Sequence, residues 1–161
     1  MTIPYEDSYN GQLRKLVGHR KLFAIGARAV LRDSDGRILL VLRKDNGCWV
    51  MPAGSMELGE SVLDCLKREV KEETGLDVLN AVPIAIYSDP RYSFTTSYGD
   101  PYQMFGVVFL VERWEGQLLT ETDETLDAGF FPVCEMPDCV PPLYRETIED
   151  VHAFDGTVIV K

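Results

Sequence analysis

The sequence of 161 residues predicts one α+β domain that spans residues 1–161. Two observations carry this prediction. A run with helical periodicity, from Ser61 to Gly75, separates two groups of segments that are rich in β-branched and aromatic residues. No internal repeat, low-complexity tract or interdomain linker interrupts the chain. Strands on both sides of a central helix are typical of an α+β domain with one hydrophobic core.

The N-terminal third of the chain predicts one helix and two strands. Residues 5–18 have a helical pattern that Gly11 weakens, and a helix here would cover an edge of the sheet. Leu22–Leu31 and Arg37–Arg43 are rich in apolar and β-branched residues, which predicts strands. The turn sequence at residues 33–36 lies between them and predicts that the two strands form a β-hairpin.

The central helix has two well-defined predicted ends. A loop rich in proline and glycine, Trp49–Gly59, precedes the helix, and its Gly54 allows a tight backbone turn near a ligand. Ser61, with Asp64 three residues later, predicts an N-terminal capping box. Gly75 predicts the C-terminal end of the helix.

The second half of the chain predicts further strands and a closing helix. The predicted strands are Val78–Tyr87, Met104–Arg113, Gly116–Leu119 and Ala128–Val133. A proline-rich stretch then leads into the predicted helix Leu143–Phe154 and a short last strand at Thr157–Val160.

The central helix carries three acids on one face. At 100° per residue, Glu72 and Glu73 lie within about 60° of Glu69 on the helical wheel. This face continues into the apolar stripe of the helix, whereas Lys67 and Lys71 point roughly the opposite way. A solvated run of charges would place its acids beside the lysines, so the acids are predicted to face the interior.

Such a cluster of carboxylates needs positive charge. Two carboxylates about 4 Å apart repel by roughly 1 kcal/mol in water and by about 4 kcal/mol at an effective dielectric constant near 20. Arg68 lies four residues before Glu72 and can neutralise one charge. The remaining negative charge suits a hard divalent cation, and magnesium binds through a few carboxylates together with substrate phosphate.

These residues resemble a known sequence motif. The order is Gly54, five residues, Glu60, seven residues, Arg68-Glu69-Val70, one residue, Glu72-Glu73, one residue and Gly75-Leu76. This pattern resembles the Nudix box at every defined position. The resemblance implies an α/β/α sandwich with a mixed β-sheet, and a hydrolase of nucleoside diphosphates linked to another group.

The resemblance also implies a metal site. In this family the glutamates of the motif bind magnesium or manganese, so Glu69, Glu72 and Glu73 are the expected ligands here. Gly54 is expected to offer its backbone carbonyl to the metal. Glu60 and Arg68 are expected to form a charged pair that orients the ligating helix and loop.

An acidic loop before an aromatic strand is the predicted source of a general base. In many Nudix enzymes a glutamate from such a loop reaches the metal or takes the proton of the attacking water. By that placement Glu124 is the first candidate and Glu121 the second, while a glutamate of the box such as Glu72 is the alternative base. A solvated turn is the other interpretation of this loop.

Candidate substrate-binding residues lie in two segments. Residues 87–102 form a polar, aromatic connection that could act as a recognition loop, with Arg91 meeting phosphate. Its candidates for stacking on a base are Tyr92, Phe94, Tyr98 and Tyr102. The alternative is a loop that packs its own aromatic side chains onto the sheet. Arg43 and Lys44, just before the loop Trp49–Gly59, are further candidates for phosphate contact.

Three functions remain open from the sequence. The first is magnesium-dependent hydrolysis of a nucleoside diphosphate derivative such as ADP-ribose, in which water attacks one phosphorus and no covalent intermediate forms. The second is a nucleoside triphosphate pyrophosphohydrolase that sanitises the nucleotide pool, and residues 110–116 resemble this branch. Pro90 partly matches a marker of the ADP-sugar hydrolases of the family, and Tyr92 partly matches a marker of its dinucleoside polyphosphate hydrolases, so neither residue decides between the functions. The third is a nucleotide-sensing module without turnover.

Composition limits the partners and the compartment. A net charge of −10 argues against binding to a nucleic-acid backbone, and no apolar run is long enough to span a membrane. The resemblance implies that the partner is a small-molecule nucleotide, and many members of that family are homodimers. The four cysteines predict free thiols in a reducing cytoplasm, with zinc at Cys134 and Cys139 as a minor alternative.

Overall fold

The computed structural model describes residues 3–161, which contain three α-helices and nine strands. The helices are α1 (Tyr9–Val17), α2 (Val62–Thr74) and α3 (Pro142–Ala153). The strands are β1 (Leu22–Leu31), β2 (Ile38–Arg43), β3 (Trp49–Val50), β4 (Ala53–Ser55), β5 (Asp77–Tyr87), β6 (Ser93–Thr95), β7 (Pro101–Glu115), β8 (Thr125–Phe131) and β9 (Ile159–Val160).

The main sheet is mixed, as the resemblance implied. Its strand order is β4-β1-β7-β5-β9, with β6 paired to one end of β7. The β1–β7 and β5–β9 pairs are parallel, and the other pairs of this sheet are antiparallel. A second, antiparallel sheet has the order β3-β2-β8.

Helices cover both faces of the main sheet. Ala27, Ala29 and Leu31 of β1 belong to a buried cluster that includes the apolar face of α2. Val30 belongs to a second cluster that includes Ile148 and Val151 of α3. Because successive side chains of a strand point to opposite faces, the two cores lie on opposite sides of the sheet. The architecture is therefore the α/β/α sandwich.

The predicted hairpin is wrong, although its turn forms. Gly36 donates its backbone N–H to the carbonyl of Asp33, and a single bridge joins Arg32 to Ile38. Beyond this bridge the two strands enter different sheets, because β4 and β7 occupy the two edges of β1. Turn chemistry predicted the reversal of the chain, but the pairing of the strands is a tertiary property.

Several other predicted elements need correction. The predicted helix at residues 5–18 is a 3₁₀ turn at Tyr5–Asp7 followed by α1, because Ser8 is extended and caps α1. Gly116–Leu119 is not a strand, since β7 ends at Glu115 and Gly116 has φ of +103°. The two predicted loops at residues 49–59 and 87–102 contain the short strands β3, β4 and β6.

The prediction of free thiols is wrong for two of the four cysteines. Cys48 and Cys139 form a disulfide with their Cα atoms 5.0 Å apart, while Cys65 and Cys134 are free. The cause is a contact that sequence distance conceals: the N–H of Trp49 donates to the carbonyl of Cys139 at 3.1 Å and holds the two segments together. None of the helices in residues 3–161 has the length and apolar character needed to cross a bilayer.

Candidate active site

The ends of α2 fix how the helix faces the sheet. The Ser61 hydroxyl accepts a hydrogen bond from the N–H of Asp64, whose carboxylate accepts the N–H of Ser61, each at 3.1 Å. Gly75 ends the helix in the left-handed conformation, with φ of +75°. With these ends fixed, Glu69 and Glu73 are buried, as the helical wheel predicted.

Arg68 is the cation at the centre of the acidic cluster. Its Nη2 and Nε donate to the two carboxylate oxygens of Glu60 at 2.7 and 3.0 Å. Its Nη1 lies 2.6 Å from Glu69 Oε1 and 3.3 Å from Glu72 Oε2. Nη2 also donates to the backbone carbonyl of Ser55, which ties α2 to β4. One guanidinium thus faces three carboxylates, so negative charge remains uncompensated.

Glu73 is the most deeply buried acid of the cluster. Its residue exposure is 1%, and its Oε2 accepts the N–H of Ala53 at 3.0 Å. Its Oε1 has no hydrogen-bond partner among the described residues. The Nη1 atom of Arg43 lies 3.6 Å from this oxygen, but Nε and Nη2 of the same guanidinium bind Asp45. Glu73 therefore presents a buried carboxylate oxygen that lacks a hydrogen bond.

Gly54 lets the loop at residues 49–59 approach the glutamates of α2 closely. A Cβ atom added to Gly54 would lie 1.9 Å from the carboxyl carbon of Glu69. The Gly54 carbonyl accepts a weak hydrogen bond from Cys65 Sγ at 3.6 Å. Any side chain at position 54 would displace Glu69, so the sequence requires glycine here.

The environment raises the pKa of two glutamates. Burial raises the pKa of Glu69 to about 7 and outweighs the opposing influence of Arg68, and the charges of Glu124 and Glu72 add to the increase. Burial also raises the pKa of Glu73 well above its usual range, and the charge of Glu69 adds to it. These carboxylates are costly to ionise without a further cation.

The loop before β8 brings Glu124 to the cluster. Glu124 raises the pKa of both Glu69 and Glu73 through its charge, which places it near them. The neighbouring Thr125 is buried and donates its hydroxyl to the carbonyl of Glu73 at 3.3 Å. Glu121 instead has a side chain 74% exposed and lies 3.8 Å from Lys44 Nζ. Glu124 thus acts on the acidic cluster through its charge, whereas Glu121 lies at the surface.

The donor set fits a hard divalent cation, although the side chains are not yet gathered around one point. In residues 3–161, no group of three or more histidine, cysteine, aspartate or glutamate side chains is arranged so that it could hold a metal ion as it stands. Arg68 holds Glu69 and Glu72 in their present positions. The carboxylate oxygens, their raised pKa values and the unpaired Oε1 of Glu73 are nevertheless the chemistry that such an ion requires.

Two predicted substrate residues lie elsewhere. Arg91 donates to Glu146 of α3 at 2.8 Å and to the Tyr92 hydroxyl. Tyr92 is buried, and its ring stacks on Tyr87 with the centroids 4.8 Å apart. Both residues thus lie on the α3 side of the sheet. The alternative of a loop that packs its own aromatic side chains is confirmed for Tyr92, whereas Tyr98 is exposed.

Sequence reasoning missed Arg28. This residue is 5% exposed, and its Nη1 donates to the hydroxyl of Thr147 in α3 at 3.0 Å. A signal was present, because Arg28 is the one charged residue in the apolar segment LFAIGARAVL. A charged side chain in such a segment is rarely buried without a specific role.

Comparison with known families identifies the fold and the motif. The NUDIX domain model matches residues 22–151. The match covers more than half of the chain and includes every residue of the box. The protein therefore belongs to the Nudix family of hydrolases.

Several named proteins are similar to this chain. The NAD-capped RNA hydrolase NudC of Vibrio atlanticus is 33% identical over 74% of this chain and 44% of its own length. The ADP-ribose pyrophosphatase of Methanocaldococcus jannaschii is 34% identical over 65% of this chain and 60% of its own length. A putative 8-oxo-dGTP diphosphatase of Bacillus subtilis is 28% identical over 87% of this chain and 89% of its own length.

A solved structure supports the same fold. The MutT NUDIX hydrolase of Burkholderia pseudomallei superposes with a TM-score of 0.66 and 26% identity, and the match covers 82% of this chain and 98% of that one. The chain spans about half the length of the first two curated relatives, at 44% and 60%.

Proposed function

We propose that this protein hydrolyses the pyrophosphate bond of a nucleoside diphosphate linked to another group, such as ADP-ribose, with magnesium or manganese as cofactor. The observation that carries the proposal is the charge imbalance around α2. Glu73 keeps a buried oxygen without a hydrogen bond, and Glu69 beside it has a pKa raised to about 7. A divalent cation would relieve both, and a phosphate group would complete its coordination.

The residues that would hold the cation are Glu69, Glu72, Glu73 and the carbonyl of Gly54. When bound, the cation supplies neutralisation of charge on the phosphate oxygens and lowers the pKa of water. Arg68 would give up its contacts with the ligating glutamates and keep its two hydrogen bonds to Glu60, which hold the guanidinium in place. Glu60 and Arg68 therefore act by positioning the carboxylates.

The chain also offers groups for the reaction itself. Glu124 lies beside the cluster and would accept the proton of the attacking water, with Glu72 as the alternative base. Arg43 lies 3.6 Å from Glu73 and would contact a phosphate oxygen of the substrate. Attack on one phosphorus would release a nucleoside monophosphate and the phosphorylated remainder.

A second function is hydrolysis of nucleoside triphosphates to monophosphate and pyrophosphate. The observation that favours it is the share of this chain that each relative matches. The putative 8-oxo-dGTP diphosphatase matches 87% of this chain, and the ADP-ribose pyrophosphatase matches 65%. The same acidic cluster would serve both reactions. The two functions differ in the product that accompanies the monophosphate.

A product-resolved assay tests both functions. ADP-ribose, nucleotide sugars, diadenosine polyphosphates and canonical or oxidised triphosphates would each be incubated with magnesium or manganese, and with a chelator as the control. We expect turnover that the chelator abolishes, with ribose 5-phosphate from ADP-ribose or pyrophosphate from a triphosphate. Absence of turnover of every substrate with either metal would contradict the proposal.

A further inference from the structure

The N-terminal helix α1 contacts the loop that precedes α2. The first N–H groups of a helix have no partner within the helix. In α1 the N–H of Gly11 donates to the hydroxyl of Ser8, and the N–H of Tyr9 donates to the carboxylate of Glu57 at 2.7 Å. Glu57 lies 48 positions further along the chain, within the Nudix motif. A carboxylate at this end of a helix also interacts favourably with the helix dipole.

Glu57 belongs to the turn that carries Glu60. The carbonyl of Glu57 accepts the N–H of Glu60 at 3.4 Å, and the carboxylate of Glu60 accepts the N–H of Glu57 at 2.7 Å. Gly59 has φ of +92° at the third position of this turn, where a positive φ favours glycine. Residues 57–60 therefore form one closed unit, which we call the motif turn.

The motif turn holds Arg68. Oε1 of Glu60, which accepts the N–H of Glu57, also accepts a hydrogen bond from Arg68 Nη2 at 2.7 Å. The Nη1 atom of Arg68 contacts Glu69 and Glu72. A series of direct hydrogen bonds therefore joins the start of α1 to two of the expected metal ligands.

The other end of α1 is fixed to the main sheet. Arg14, in the last turn of the helix, donates from Nη2 to the carbonyl of Pro101 at 3.0 Å and from Nε to the hydroxyl of Tyr102 at 3.1 Å. Both acceptors lie at the start of β7, which is an interior strand of the sheet. The Arg14 side chain is 8% exposed, so this attachment is shielded from water. The helix thus connects a fixed strand to the motif turn.

We propose that α1 is a brace for the metal site, and that Glu57 is the positioning residue through which the brace acts. By accepting the N–H of Tyr9, Glu57 keeps the motif turn in the conformation in which Glu60 orients Arg68. The inference rests on the proposed function for the identity of the metal ligands. Residues that orient metal ligands raise metal affinity, because ligands already held in place lose less conformational freedom on binding.

Tyr9→Pro breaks the contact and leaves α1 able to form. Tyr9 is the first residue of the helix, where proline is favoured because its missing N–H has no partner within the helix. Ser8 has φ of −66° and ψ of 158°, which is the extended conformation that the residue before a proline prefers. Tyr9→Ala is the matched control, since it removes the same side chain but keeps the N–H.

Manganese binding tests the brace without depending on turnover. Binding of manganese(II) alone to the full chain would be measured by electron paramagnetic resonance, and the magnesium dependence of kcat would be measured with the substrate found in the product-resolved assay. We expect Tyr9→Pro and Glu57→Ala each to weaken manganese binding about tenfold. At saturating metal their kcat should stay within a factor of two of the wild type, because the ligands are ordered once the metal is bound.

Two further variants separate the hydrogen bond from other effects. Glu57→Gln should bind manganese nearly as the wild type does, because its amide oxygen still accepts the N–H of Tyr9. The double variant Tyr9→Pro/Glu57→Ala should be no weaker than either single variant, because both changes remove the same hydrogen bond. Urea denaturation would confirm that each variant is folded, since loss of folded protein lowers the number of binding sites and not their affinity.

Three results would overturn the proposal. These are wild-type manganese affinity in folded Tyr9→Pro, effects that add in the double variant, and an equal loss of affinity in Glu57→Gln and Glu57→Ala. Manganese binding that depends on the contact between Tyr9 and Glu57, in a protein without turnover, would support the brace and contradict only the proposed hydrolysis. Turnover by a protein whose manganese affinity is the same in all variants would contradict only the brace.

Discussion

Two clusters of buried or half-buried carboxylates lie on opposite faces of the main sheet, and they differ in how well their charge is balanced. On the α2 side, burial and mutual repulsion raise the pKa of Glu69 and Glu73. On the α3 side, Lys161 Nζ lies 2.7 Å from Asp150 and 2.9 Å from Glu146. Burial opposes ionisation of Glu146, but hydrogen bonds from Lys161 and Tyr92 outweigh it and lower its pKa.

This difference in charge balance separates carboxylates that stabilise the fold from carboxylates that need a bound cation to balance their charge. Breaking a balanced pair leaves a buried charge without a partner, which lowers stability. Removing one acid from an unbalanced cluster relieves repulsion instead, so stability changes little while function is lost. Loss of an acid on the α3 side should therefore lower the free energy of unfolding, and loss of an acid on the α2 side should lower kcat.

The largest expected effect is on turnover, from Glu72→Gln and Glu73→Gln. Each change removes a predicted ligand of the cation, so we expect kcat to fall by three to four orders of magnitude, about 5 kcal/mol. Stability in denaturant should stay the same or rise, because each change also removes negative charge. Glu149→Gln, the same chemical change at an exposed position of α3, is the matched control. Unchanged rates in the box variants would contradict the metal site.

The second effect is on stability, from Asp150→Asn on the α3 side. This carboxylate accepts hydrogen bonds from Tyr87 and Lys161, so its loss weakens a buried ionic network. We expect the free energy of unfolding to fall by about 4 kcal/mol, measured by urea denaturation, with kcat at saturating substrate unchanged. A loss of kcat without a loss of stability would reverse the roles that the comparison assigns.

The third effect is on the pH dependence of stability, and its sign differs between the two faces. The pKa of Glu69 is about 7 in the fold and near 4.5 when unfolded. The folded protein therefore holds this proton more tightly. Its stabilising contribution is present below pH 4.5 and is lost as the pH rises to about 7, which corresponds to about 3 kcal/mol.

Denaturation of the metal-free wild type and of Glu69→Gln between pH 5 and 8 measures this difference. The wild type should lose stability relative to Glu69→Gln as the pH rises. Glu146 has the opposite sign because its folded pKa is lowered, so its contribution is present at neutral pH and is lost on acidification. Parallel curves of stability against pH for the wild type and Glu69→Gln would show that burial does not raise the pKa of Glu69.

The sequence predicted the α2 side well because that side is local. A single helical register places Glu69, Glu72 and Glu73, and Ser61 and Gly75 fix the ends of that helix. Each of these features depends on residues only a few positions apart. The motif also predicted the pairing of Glu60 with Arg68, which lies eight residues later.

The α3 side could not be predicted because its contacts join distant segments. Arg28 meets Thr147 across 119 positions, and Tyr87 meets Asp150 across 63. The same cause explains the wrong hairpin and the pairing of Cys48 with Cys139. Turn and strand propensities describe single segments, whereas sheet order and packing decide which segments meet.

The smallest expected effect distinguishes two glutamates of the loop before β8. Glu124 influences Glu69 and Glu73 through its charge, whereas Glu121 is exposed beside Lys44. We therefore expect Glu124→Gln to lower kcat about tenfold or more, equivalent to about 1.4 kcal/mol, and Glu121→Gln to leave it within a factor of two. The pH profile of kcat should also lose its acidic limb in Glu124→Gln, because a missing general base removes its own titration. An intact acidic limb would assign the proton transfer to a glutamate of α2, such as Glu72, and extend the role of the unbalanced cluster from binding to chemistry.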